Sequence, residues 1–328
     1  MAARTRYAPD RGLTVRMTAT LFLLGLVFVA FVALIIGIMT AAHASGASII
    51  LVAVVFGGGS AFISLFFSDK IALAAAGAQV VTPQQAPELH GIVDRLCALA
   101  DMPKPRVAIS PARMPNAFAT GRNSEHAVLC VTDGLLRYSD LTQEELEGIL
   151  AHELSHVAHK DVQVMTYASL LAIVAGLLVR FAFYSELFGG GRRGGNDGNA
   201  ALLIPLILLA SALVYAISFL LIRLLSRYRE LAADRSGALL TQNPSALISA
   251  LTKVSRGMNQ IPTQDLRAAE PLNAFYFAPA MKLSGGRGRG VSLSTLFSTH
   301  PSLDKRIEQL SKIQRELGQP GAEPRGLR

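Results

Sequence analysis

Four stretches of this chain carry almost no charge, and they limit its fold more than any other feature. Residues 17–39, 49–67 and 200–222 contain no Asp, Glu, Lys or Arg, and 162–183 contains only Arg180. Each reaches the ~17–25 apolar residues that an α-helix needs to cross ~30 Å of hydrocarbon. The rest of the 328-residue chain agrees: 51% of residues are hydrophobic, 16% are charged, and the mean hydropathy is +0.39. These values exclude a disordered or collagen-like chain and weigh against a soluble globule. The first run follows Arg4, Arg6, Arg11 and Arg16, as a signal peptide would. Its apolar core exceeds the ~7–15 residues of such a peptide, so it reads as a retained anchor.

The basic residues set an orientation. Of 31 Lys and Arg, four precede the first run, eight lie in 68–161 and sixteen in 223–328. The short linker 40–48 has none and the loop 184–199 has two. The positive-inside rule then places both termini and both large polar segments in the cytosol. Cys97 and Cys130 fit that reducing compartment as buried thiols. The expected fold is four transmembrane helices plus a cytosolic α+β zincin-like domain with a small sheet. Its parts are a basic segment 1–16, a transmembrane hairpin 17–67, a catalytic region 68–161, a second hairpin 162–222, a second catalytic region 223–310 and a tail 311–328. The Gly/Arg-rich stretch 284–290 reads as a linker or lid, too short for a nucleic-acid site.

Residues 142–161 read TQEELEGILAHELSHVAHKD. Thr142 with Glu145 three positions on is a capping box, so a helix starts here. Leu146, Ile149, Leu150, Leu154 and Val157 recur at helical spacing as its buried stripe. His152 and His156 are then one turn apart on one face, where both imidazoles can reach one zinc ion. Glu153, one position round, can act on a water without being a ligand; the pattern is H-E-x-x-H. His159 continues the row but points elsewhere, and reads as a supporting or exposed residue.

A catalytic zinc site commonly has a third protein ligand. Asp161 is too close in sequence to fold back onto its own helix, and Glu186 falls in the external loop. Residues 226–237, SRYRELAADRSG, offer Glu230 and Asp234 on one helical face. Glu230 suits a ligand and Asp234 a carboxylate that orients a ligand histidine. If both helices run on unbroken from the apolar spans, His156 lies about 9 Å before the third and Glu230 about 12 Å after the fourth. Residues 106–110 and 127–131 read as short strands. Residues 116–120 suit an edge strand able to pair with an extended peptide.

Together, His152-Glu153-Leu154-Ser155-His156, Glu230-x-x-x-Asp234, Asn116-Ala117-Phe118-Ala119-Thr120-Gly121 and Thr299-His300-Pro301 resemble the HtpX family of membrane-bound zinc metalloproteases. That family is related to the CAAX-prenyl-protein endopeptidases. The resemblance implies one zinc ion held by His152, His156 and Glu230, with Glu153 as catalytic base. It implies that Asn116, Ala117, Phe118 and Ala119 hold the substrate backbone, and that His300 and Arg306 stabilise the tetrahedral intermediate. Ser302 stands where the family often has a second proline. The implied function is endoproteolysis of misfolded or damaged membrane proteins at the plasma or inner membrane, with the bilayer and polypeptides as partners and no nucleic acid. Oligomeric state has no sequence signal. The rival readings are a membrane scaffold or transporter with structural zinc, and a prenyl-protein protease.

Overall fold

The computed structural model describes residues 11–41, 58–138, 140–169, 172–173, 175–176, 198–259 and 300–318. The start of the second apolar run, the end of the third, most of the external loop and the 284–290 stretch lie outside them. The chain divides into two compact units, Met17–Leu65 with Val164–Leu225, and Phe66–Gln163 with Ser226–Arg328 and Met1–Arg16.

The first unit is built on α1 (Arg11–Ala41) and the N-terminal part of α6 (Gly198–Thr241). Among the described residues, Arg11–Leu34 and Leu208–Thr241 are long and apolar enough to cross a membrane, with mean hydropathy 2.5 and 2.3. Leu24, Phe31, Ala168, Ala175, Val214 and Leu225 pack together inside. Phe22 and Leu209 remain 73% and 69% exposed, an apolar surface that suits lipid and not water. In the second run, α2 (Gly58–Ala75) continues past residue 67 through Asp69 and Lys70.

The other unit holds a four-stranded sheet in the order β1-β2-β4-β3, from Gln79–Val80, Arg106–Ser110, Val128–Thr132 and Ala117–Thr120. β2 and β4 are parallel; the other pairings are antiparallel. β4 is buried along its whole length, which explains the unbroken run VLCVT. Leu129 and Val131 enter the main core, whereas Val128 and Cys130 meet Ala72, Ala108 and Phe118 on the other face. The main core also takes Leu96 from α3 (Pro87–Ala100), Leu150 from α5 (Gln143–Ala158), Leu251 from α7 (Pro244–Asn259) and Leu310 from α8 (Leu303–Gly318). The short α4 (Asp133–Tyr138) leads from β4 towards α5.

α5 is wrapped rather than half-exposed: Gly148 through Ser155 are all buried. Gly237 of α6 explains the close fit, because a Cβ there would lie 2.9 Å from the backbone nitrogen of His152. Residues 311–318, expected to belong to a tail, continue a helix instead. α8 runs to Gly318, and Ile313 is buried in the core, because an amphipathic helix can cover the core only if its apolar row continues through its last turns.

Candidate metal centre

The capping box forms as its residues dictate. Thr142 Oγ1 accepts from the Glu145 amide at 3.3 Å, and Glu145 Oε2 accepts from the Thr142 amide at 2.8 Å. Glu145 also accepts from Ser249 Oγ at 2.5 Å and Lys253 Nζ at 2.8 Å, tying the start of α5 to α7. Three turns on, His152 and His156 stack edge to face, with their Nε2 atoms 3.2 Å apart. α6 brings Glu230 to them: Oε1 lies 3.6 Å from His156 Nε2 and Oε2 lies 3.8 Å from His152 Nε2.

The far side of each imidazole faces a carboxylate. His152 Nδ1 lies 3.0 Å from Asp234 Oδ1, and His156 Nδ1 lies 2.5 Å from Asp161 Oδ2. The second contact overturns the expectation that Asp161 cannot fold back. α5 ends at its C-cap His159, and Lys160 takes φ of 57°, in the left-handed region, which breaks the helix before a new helical stretch at 161–169. For the same reason α5 does not run on unbroken into the third apolar run. His159 ends as the half-buried C-cap of α5, outside the group that could hold an ion.

Asp234 is itself gripped by a fork. Arg306 donates from Nε at 2.8 Å and from Nη2 at 2.6 Å to its two oxygens, and both side chains are fully buried. Nη1 of Arg306 lies 3.8 Å from Glu230, and His300 Nδ1 lies 3.0 Å from Glu230 Oε2. Gln309 of α8 donates to the Leu231 carbonyl at 2.8 Å, which fixes α8 against α6.

β3 closes another side. The Ala119 amide donates to Glu153 Oε2 at 3.1 Å, so this carboxylate sits under the edge strand of the sheet. Of the four residues expected at the substrate, Ala119 meets the Glu153 carboxylate through its backbone N–H. Phe118 points into the second core cluster and Ala117 into the main one. Asn116 is buried, its amide donating to Thr132 Oγ1 at 2.9 Å and its carbonyl accepting from the Thr132 amide at 3.0 Å.

Burial pushes both histidines down to about 4, so each ring is neutral near neutral pH. Burial, with the nearby Glu230 charge, raises the Glu153 carboxyl well above the usual range. Burial opposes the charges on Glu230 and Asp234, yet both are held low. His300 is the main counterweight for Glu230, as Arg306 is for Asp234.

Among the described residues, one donor atom each from His152, His156 and Glu230 lie within 4.8 Å of one another. Two ligands held tetrahedrally at ~2.0–2.1 Å from zinc lie about 3.4 Å apart. The two Nε2 atoms at 3.2 Å, and a Glu230 oxygen 3.6 Å from one ring (Oε1) and 3.8 Å from the other (Oε2), lie close to that value. With Nδ1 of each neutral ring facing a carboxylate, its proton belongs there, and two Nε2 lone pairs face each other across 3.2 Å. A divalent cation is the group that this donor set fits.

Comparison with known proteins gives a consistent picture. The model of peptidase family M48 matches residues 83–314. "Protease HtpX homolog 1" of Streptomyces coelicolor is 56% identical over 319 residues, covering 97% of this chain and 98% of that protein. "Protease HtpX homolog" of Moorella thermoacetica is 46% identical over 314 residues, covering 96% and 98%. The crystal structure of S. mikatae Ste24p shares the fold at 17% identity, with a TM-score of 0.54 over 92% of this chain and 67% of that one.

Proposed function

We propose, from the premise that this chain belongs to peptidase family M48, a mechanism in which His152, His156 and Glu230 hold zinc and Glu153 moves the proton. The chain is a membrane metalloprotease of the HtpX kind. Identity above half over nearly the whole chain disfavours both the scaffold and the prenyl-protein protease readings. The observation that carries the mechanism is the convergence of three donor atoms within 4.8 Å, with Glu153 buried beside them.

Bound zinc would supply Lewis-acid polarisation of the scissile carbonyl and of the attacking water. Glu153 takes the water's proton and returns it to the leaving amine. The Ala119 N–H orients that carboxylate and sets it next to the sheet edge. An extended peptide added along the outer edge of β3 would pass its scissile bond over Glu153 and pair with the backbone groups of Ala117–Ala119 that point away from β4, while Asn116, bonded to Thr132, anchors the strand. His300 lies against Glu230 and faces the developing oxyanion, while Arg306, its fork spent on Asp234, contributes fixed positive charge.

The four apolar runs would cross the bilayer with both termini and the site in the cytosol. The positive-inside count and the two long apolar helices support that topology. Substrates would be unfolded or damaged membrane proteins. The decisive experiment compares wild type with Glu153→Gln on casein, with zinc counted in both. The variant should keep about one zinc and lose 10²–10⁴-fold in kcat/KM. Equal cleavage by both would end the assignment of Glu153.

A further inference from the structure

Two buried arginines sit behind the two histidines in matching arrangements. Arg306 grips Asp234, which faces His152 Nδ1. Arg229 ion-pairs with Asp161, which faces His156 Nδ1. Arg229 and Asp161 are 4% and 8% exposed. Arg229 precedes Glu230 on α6, so this pair joins the turn after α5 to the helix that carries the third donor.

We propose that Asp161, steadied by Arg229, is a positioning residue for His156: it holds the proton on Nδ1 and turns Nε2 towards the metal. This rests on the metal reading above. Imidazole carries its proton on either nitrogen, and a carboxylate at Nδ1 settles the choice in favour of the form whose Nε2 is a free donor. An ion pair serving stability alone would be a weak use of two buried charges, because desolvation offsets most of their attraction. At the same time, removing Asp161 alone would strand the Arg229 charge. The informative variant therefore changes both, Asp161→Leu with Arg229→Met, which removes the charges together and leaves no acceptor at position 161 for Nδ1–H.

The test uses the full chain purified in detergent. Zinc affinity is measured by competition with a chelator, and the His156 tautomer by nitrogen NMR of the zinc-free protein, assigned with a His156→Gln spectrum. Wild type should show His156 protonated on Nδ1. The double variant should shift it towards Nε2–H and weaken zinc binding by about 10–100-fold. Weaker binding with an unchanged tautomer, or an affinity within twofold of wild type, overturns the role of Asp161 while leaving the metal reading intact. A wild type that holds no zinc overturns both.

Discussion

His152 and His156 show what spacing reveals and what it hides. Their common face, the adjacent Glu153, and Glu230 with Asp234 all follow from 3.6 residues per turn within single helices. Asp161 is hidden because straight-helix reasoning carries it away from His156, whereas one non-glycine residue at φ 57° breaks the helix and lets Asp161 meet that ring. The approach of Arg306 to Asp234 was hidden differently: no local pattern links positions 72 apart. The neutral histidines also give a pH signature in zinc-free protein. Folded, both titrate near 4; unfolded, near ~6.5. Between those values the unfolded chain binds more protons, so stability rises with pH there and is lost as pH falls from 6.5 towards 4. Urea unfolding of chelated Glu153→Gln protein, a substitution that removes the opposing contribution of the raised Glu153 carboxyl, should show a falling midpoint from pH 7 to 6 to 5, and a flat series would refute the burial argument.

At the level of elements, capping and apolar periodicity announced α5, and three strands fell within a residue or two of their expected bounds. β1 escaped because two residues carry no periodicity. The closeness of α5 to α6 escaped too, since Gly237 reads in sequence only as a small residue within a helix. In an open helix, Gly→Ala would stabilise by ~1 kcal/mol. At 237 the new Cβ would meet the His152 backbone at 2.9 Å, and overpacking of this kind costs about 1–3 kcal/mol. Gly237→Ala should therefore lower the thermal midpoint and weaken zinc binding. A raised midpoint would mean that α6 can move away freely.

For the molecule as a whole, α5 and α6 supply the donors, so zinc would act as a cross-link within the polar unit. A ligand at a thousand times its Kd adds ~4 kcal/mol. Cys97 and Cys130 provide the readout: both are buried in this unit, and burial raises their thiols to about 11 and about 12. A thiol-reactive dye should stay silent on the folded protein and report unfolding at a lower temperature after chelation. An unchanged midpoint would sink the cross-link.

The order of these parts along the chain has a consequence during synthesis. His152 and Glu153 leave the ribosome well before Glu230, and His300 and Arg306 come later still. Between the histidines and Glu230 lie the third and fourth apolar runs, which on the proposed topology would enter the bilayer before Glu230 is made. A half-made chain would thus carry the proposed base and two of the three proposed donors without the third. Under the mechanism proposed above, cleavage would therefore require residues from both sides of the 162–222 stretch.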